Sequence, residues 1–145
     1  MQNFVRFCLR VFFRVFKTRC SIQFDEKKLP KKGVYVSNHV SFLDPVLLFA
    51  FLPGNPVFAL NGHLYRRKWI RFLMKTADIC LFNPIEPGDI KELIAKVDSG
   101  RPVMIFAEGS VTETGGLMKI YDAPGLVADN SKATLIPTWI SGPEY

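Results

Sequence analysis

Hydrophobic positions along this chain fall into short unbroken runs separated by longer amphipathic stretches, and that alternation predicts the fold. Apolar or β-branched runs at residues 34–37, 57–60, 78–82, 103–106 and 134–140 have the length and make-up of strands, and several read as fully buried. Residues 45–51 are apolar on every side and predict a short buried helix. Residues 64–76 predict a helix with Trp69, Phe72 and Leu73 inward and Arg66, Arg67, Lys68, Arg71 and Lys75 forming a basic surface. A further amphipathic helix is expected over 89–97 and another near 123–129. Turn chemistry separates them at Pro53-Gly54-Asn55-Pro56, at Asn83-Pro84 through Pro87-Gly88, and at Ser99-Gly100-Arg101-Pro102. Strands alternating with helices predict an α/β layered single domain, with a mixed central sheet flanked by helices.

The N-terminal stretch has a different pattern. Across residues 3–17, Arg6, Arg10 and Arg14 recur every fourth position and Lys17 follows, so the cations form one helical stripe. Phe4, Phe7, Leu9, Val11, Phe12, Phe13, Val15 and Phe16 occupy most of the remaining surface. The stretch is too short and too charged to span a bilayer, which takes about 20 apolar residues. Its charges run through the apolar part and no small-residue cleavage site follows, unlike a signal peptide. Residues 1–24 are therefore expected to form an amphipathic membrane-interface helix with its arginines toward lipid phosphates. The other reading is a helix packed on the domain formed by residues 25–145. Residues 18–32, with Lys27, Lys28, Lys31 and Lys32, read as a basic linker or surface hairpin.

Composition sharpens this picture. The chain has 145 residues, enough for one core, with 48% hydrophobic residues, 13 Phe and a net charge of +6. The pI is near 9.4 and the mean hydropathy is +0.13. A basic, Phe-rich chain without a nucleic-acid motif suits an anionic membrane surface and argues against a nucleic-acid partner. Cys8, Cys20 and Cys80 have no metal or redox spacing and read as reduced thiols facing a cytosol.

The chemistry concentrates in two loops that follow buried runs. Asn38-His39-Val40-Ser41-Phe42-Leu43-Asp44 comes directly after residues 34–37 and ends at Pro45. A neutral imidazole can take a proton from a hydroxyl, and a carboxylate on its far nitrogen holds the tautomer and stabilises the imidazolium that forms. Four residues separate His39 from Asp44, so the loop can fold back and let the side chains meet. The competing reading makes Asp44 a helix N-cap ahead of Pro45, with Asn38 and Ser41 as turn residues. The second loop, Ala107-Glu108-Gly109-Ser110, opens from the run at 103–106 and carries an acid beside a glycine. Thr112, Thr114, Gly115 and Gly116 extend it into a polar stretch that could offer backbone N–H groups to an oxyanion, and Lys119 and Tyr121 follow. His63 has no carboxylate at comparable spacing and reads as a surface or capping residue.

With both loops in hand, the sequence resembles the glycerolipid acyltransferases that carry an N-H-x-S-x-x-D motif, matched here by Asn38, His39, Ser41 and Asp44. The family's F-P-E-G motif has its counterpart in Phe106-Ala107-Glu108-Gly109, and its late apolar block with a proline in Leu135-Ile136-Pro137. Residues 114–122, with Gly125 and Ala128, look most like the 2-acylglycerophosphoethanolamine acyltransferase part of bacterial bifunctional acyltransferase/acyl-ACP synthetases. The resemblance implies a glycerol-3-phosphate acyltransferase-like fold on the cytoplasmic face of a bacterial inner membrane, peripheral or monotopic. It implies acyl-ACP or acyl-CoA as donor, a lysophospholipid as acceptor, an anionic membrane surface as partner, and neither metal nor cofactor. His39 would be the general base and Asp44 its orienting carboxylate, with Asn38, Ser41, Glu108, Gly109, Ser110 and Lys119 in substrate binding. Three departures stand out. Ala107 replaces the family's proline. Ser110 and Val111 stand where an arginine for acceptor phosphate is usual, which weakens that contact or moves it to Lys119. Family members also continue past this point, so the domain reads as truncated at its C-terminus. The alternatives are a 1-acylglycerol-3-phosphate acyltransferase and a non-catalytic, membrane-binding remnant.

Overall fold

The computed structural model describes residues 2–15, 30, 32–62, 71, 75–83, 85–112 and 118–141. In chain order the elements are α1 (Gln2–Val15), β1 (Gly33–Ser37), α2 (Asp44–Phe51), β2 (Val57–Leu60), β3 (Ile79–Leu81), α3 (Pro87–Asp98), β4 (Val103–Phe106), α4 (Ala123–Ser131) and β5 (Thr134–Thr138). The strands form one sheet in the order β3-β2-β4-β1-β5. Most of the expected helix at 64–76 lies outside the described residues, as do the linker at 18–29, His63 and residues 113–117.

The expected mixed sheet is corrected. Every pairing among the described residues is parallel, with Val34 opposite Val103, Val34 opposite Leu135, Val57 opposite Val103 and Phe58 opposite Ile79. The reason is the connections: helices α2 and α4 each carry the chain back to the sheet end from which the previous strand began. Parallel strands covered on both faces read as continuous apolar runs, which is the pattern of β2 and β4, buried at every position.

The β1-α2-β2 connection crosses the sheet in one direction, whereas β3 to β4 through α3 and β4 to β5 through α4 cross in the other. Right-handed crossovers therefore place α2 on one face and α3 and α4 on the other. The core divides accordingly. Val34, Val57, Val103 and Ile105 pack with Leu93 and Val97 of α3 and Val127 of α4. Tyr35, Phe58, Met104 and Phe106 pack with Leu48, Phe49 and Leu52 on the α2 side. The change of direction occurs between β1 and β4, which are neighbours. In open α/β sheets, the carboxyl ends of strands at such a point form the crevice that receives ligands.

In the N-terminal helix, Arg6 and Arg10 reach toward the domain rather than outward. Arg6 is buried; its guanidinium donates to the Leu52 carbonyl and to the Asn55 side chain and lies over the Phe49 ring. Arg10 Nε donates to the Ala50 carbonyl at 2.6 Å. These contacts satisfy carbonyls at the C-terminal end of α2, the end that favours cations. Burial, and then Arg10 nearby, lowers the Arg6 pKa from its ordinary value. Phe13 packs inward with Val46 and Ala50. The outward face is apolar, with Phe4 70% and Val15 71% exposed and Phe7, Val11 and Phe12 also in the open. Arg6 and Arg10 thus seat α1 on the domain, while Arg14, Phe4, Phe7 and Phe12 are exposed.

Candidate active site

The carboxyl ends of β1, β4 and β5 bring the two chemical loops together. β1 ends at Ser37 and delivers Asn38 and His39; β4 ends at Phe106 and delivers Ala107, Glu108 and Gly109. Ser37 and Phe106 are paired in the sheet, and Ala107 N–H donates to Ser37 O at 3.0 Å, so the loops leave the sheet side by side.

His39 Nδ1 lies 2.9 Å from Asp44 Oδ2. The imidazole is 3% exposed and Asp44 is fully buried. The same Oδ2 accepts N–H donors from Val40 and Ser41, each at 2.7 Å. The N-cap reading of Asp44 is therefore corrected: α2 begins at Asp44, Leu43 holds the cap position, and no side chain caps the helix. The carboxylate turns back into the loop that precedes it, where two peptide dipoles and the imidazole converge on one oxygen. Pro45 starts the helix without needing a hydrogen bond from its nitrogen. The His39 ring stacks on Phe106, centroids 4.1 Å apart and planes at 22°, which fixes the ring plane. His39 Nε2 is buried and has no hydrogen-bond partner among the described residues. A neutral ring that donates Nδ1–H to Asp44 presents Nε2 as a lone-pair acceptor, the form that takes a proton from a hydroxyl.

The remaining expected site residues divide into two groups. Asn38 is buried and holds the chain beyond β5: its Nδ2 donates to Ile140 O and its Oδ1 accepts from Ile140 N, both at 2.8 Å. Glu108 is buried, with Oε1 accepting from His39 N at 3.0 Å and Oε2 from Met118 N at 2.9 Å. Ser41 shapes the loop, its Oγ accepting from Leu43 N at 3.2 Å. Gly109 has φ +68, and a Cβ there would stand 3.2 Å from the Tyr121 ring, so the glycine is needed for both turn and space. Ser110 and Lys119 are exposed; Lys119 Nζ sits 5.2 Å from the centre of the Tyr121 ring. Sequence reasoning missed Phe106 as the stacking partner, Ile140 as the partner of Asn38, and Thr112, whose N–H donates to His39 O at 2.8 Å. Phe106 alone had a usable signal, as the last apolar residue before the second loop. Among the described residues no group of three His, Cys, Asp or Glu is placed to hold a metal.

Residues 21–141 match the protein family described as Acyltransferase. The chain belongs to the acyltransferase family. Its fold is similar to that of the 1-acyl-sn-glycerophosphate (LPA) acyltransferase PlsC from Thermotoga maritima, with a TM-score of 0.67 and 18% identity over 92% of this chain. The chain spans 56% of that protein's chain. The acyltransferase match covers both chemical loops and every strand, so the His39–Asp44 pair and the β4 loop lie within the family's common region.

Proposed function

We propose that this chain transfers an acyl group from an acyl thioester, acyl-ACP or acyl-CoA, to the free hydroxyl of a lysophospholipid. The observation that carries the proposal is the buried His39–Asp44 pair, with Nδ1 held at 2.9 Å and Nε2 without a hydrogen-bond partner among the described residues. His39 Nε2 takes the proton of the acceptor hydroxyl as its oxygen attacks the thioester carbonyl carbon. The tetrahedral intermediate then collapses, the C–S bond breaks, and the imidazolium returns its proton to the departing sulfur. The products are a diacyl phospholipid and the free thiol of the carrier. Asp44 keeps the imidazole in the correct tautomer and stabilises its charged form. The substrate supplies the nucleophile, so no serine or cysteine of the enzyme is acylated.

A lipid substrate agrees with the surface around the pair. Phe42 and Leu43 in the His39 loop, and Met118 and Ile120 beside Glu108, are large apolar side chains left exposed. We infer that α1 seats the enzyme on the membrane through Phe4, Phe7 and Phe12, with the +6 net charge favouring an anionic surface. No helix among the described residues is long and apolar enough to cross a membrane, which fits a peripheral or monotopic attachment. The cytoplasmic face of a bacterial inner membrane, where such thioesters are available, is the proposed location. Residues 114–122 favour an ethanolamine-type lysophospholipid as acceptor. The likeness in fold to a lysophosphatidate acyltransferase favours lysophosphatidate as the second reading.

The test is acyl transfer from labelled acyl-ACP, and separately acyl-CoA, to a panel of lysophospholipids, for the wild type and His39→Ala. Transfer that disappears in the variant supports the proposal, and the panel ranks the two acceptors. A wild type as inactive as the variant, with vesicle binding intact, supports a membrane-binding remnant instead.

A further inference from the structure

We propose that Glu108 is a positioning residue for His39 rather than a contact for the acceptor. The inference rests on the acyl-transfer reading and assigns one of its residues a different task. Regular parallel pairing of β1 with β4 would continue past Ser37 by having His39 N–H donate to the Ala107 carbonyl. That carbonyl is taken by Tyr121 N–H at 3.0 Å. Gly109, at φ +68, turns the β4 chain away at this point. His39 N–H does not follow the ladder to that carbonyl and donates instead to Glu108 Oε1 at 3.0 Å. The other oxygen, Oε2, accepts Met118 N–H at 2.9 Å. One carboxylate thus ties the backbone of the proposed base to the chain that follows the second loop.

Burial and charge point the same way. Glu108 is 4% exposed, and each oxygen already has a backbone donor. A buried anion is also poorly suited to touch an acceptor that carries a phosphate, since like charges repel. Held between two N–H donors, the carboxylate is stabilised by charge-assisted hydrogen bonds, which hold geometry better than neutral ones. The His39 carbonyl accepts Thr112 N–H at 2.8 Å, so the residue is pinned on both sides of its peptide unit.

The experiment uses the full chain as wild type, Glu108→Gln and Glu108→Ala. Glutamine has the right length but only one oxygen, so it turns an NH2 toward one of the two N–H donors. Displacing a catalytic group by about 1 Å can cost about 100-fold in rate. The expected result is a kcat lower by about 100-fold for Ala and about tenfold for Gln, with acceptor KM within about twofold of wild type. Hydrogen exchange at the His39 amide should accelerate by about tenfold or more in both variants. An acceptor KM that rises by about tenfold with kcat retained overturns the proposal, because uniform binding has then been lost. Unchanged kcat and unchanged exchange at His39 overturn it as well. If neither variant folds, the wild-type His39 amide decides: slow exchange supports the brace, and exchange at the rate of an open loop refutes it. A wild type inert toward every acceptor would defeat the acyl-transfer reading and not the brace, since amide exchange is read without turnover.

Discussion

Asp44→Asn separates the chemical role of the carboxylate from its structural one. Asp44 Oδ2 accepts three donors, His39 Nδ1 at 2.9 Å and the N–H groups of Val40 and Ser41 at 2.7 Å each, while Oδ1 is buried without a hydrogen-bond partner among the described residues. Asparagine has nearly the same shape. Its oxygen can take the place of Oδ2 and keep all three contacts, because the opposite rotamer would aim NH2 at two backbone N–H groups. What is lost is the charge. Hydrogen bonds to a charged group contribute roughly 1.5–3 kcal/mol and neutral ones about 0.5–1.5, so each of the three weakens by about 1 kcal/mol. Removing a fully buried charge relieves a desolvation penalty of opposite sign and comparable size. The net stability change is expected to stay within about 2 kcal/mol, or a Tm shift below about 8 °C for a chain of this size. On the proposed mechanism activity should respond far more strongly, because the imidazolium formed in the reaction loses its counter-charge. The same replacement in a Ser-His-Asp triad lowers kcat by about 10⁴, which corresponds to about 5.5 kcal/mol of barrier. We expect a loss of about 10³ to 10⁴ here by the same physics. The assay follows free thiol released from an acyl thioester in the presence of lysophospholipid, alongside a thermal melt. A variant that melts like wild type yet keeps more than about a tenth of its kcat would refute the pairing of His39 with Asp44 as the source of catalysis.

Other expected outcomes test separate parts of the molecule. Gly109→Ala meets both the positive φ and the Tyr121 ring at 3.2 Å, and should cost at least about 1–2 kcal/mol in a denaturant titration. Arg6→Met removes the contacts to the Leu52 carbonyl and Asn55 and should cost about 2 kcal/mol, and Arg6→Lys should not restore it because one ammonium lacks the two-pronged reach; equal melting of all three chains would contradict this. Phe4→Ser and Phe7→Ser should each weaken sedimentation with anionic vesicles by about tenfold or more, since a buried Phe contributes roughly 1.5–3 kcal/mol, while unchanged partitioning would remove α1 from the membrane account. Burial, then the hydrogen bond and charge of Glu92, push the Cys80 thiol up to about 12. Iodoacetamide at pH 8 should therefore label exposed Cys8 and spare Cys80 until the protein unfolds; peptide mapping that finds Cys80 labelled as fast as Cys8 would argue against that burial.

The strands were legible because a parallel strand covered on both faces must be apolar at every position, and residues 57–60 and 103–106 are. Helices α3 and α4 were legible from the punctuation around them, such as Gly100, which adopts φ +84 just beyond α3. The parallel direction of the sheet was not, because no local pattern records which neighbour a strand takes. The α1 stripe shows a related ambiguity. Arginines every fourth residue define a face, but the pattern is the same whether that face meets phosphates or the carbonyl end of another helix. Contact with Leu52 and Ala50 decided it.

The site divides in the same way. His39 and Asp44 lie five residues apart in one loop, so their meeting depends on a short span of backbone, and the sequence by itself determined that contact. The partners that hold the pair come from far along the chain: Glu108 is 69 residues from His39, and Ile140 is 102 from Asn38. Their contacts follow from the strand order, which seats β4 and β5 on either side of β1. A residue's type announces what it can donate or accept. Whether Glu108 spends its carboxylate on a substrate or on the peptide N–H of His39 is decided only when the sheet forms and Gly109 turns the chain after β4.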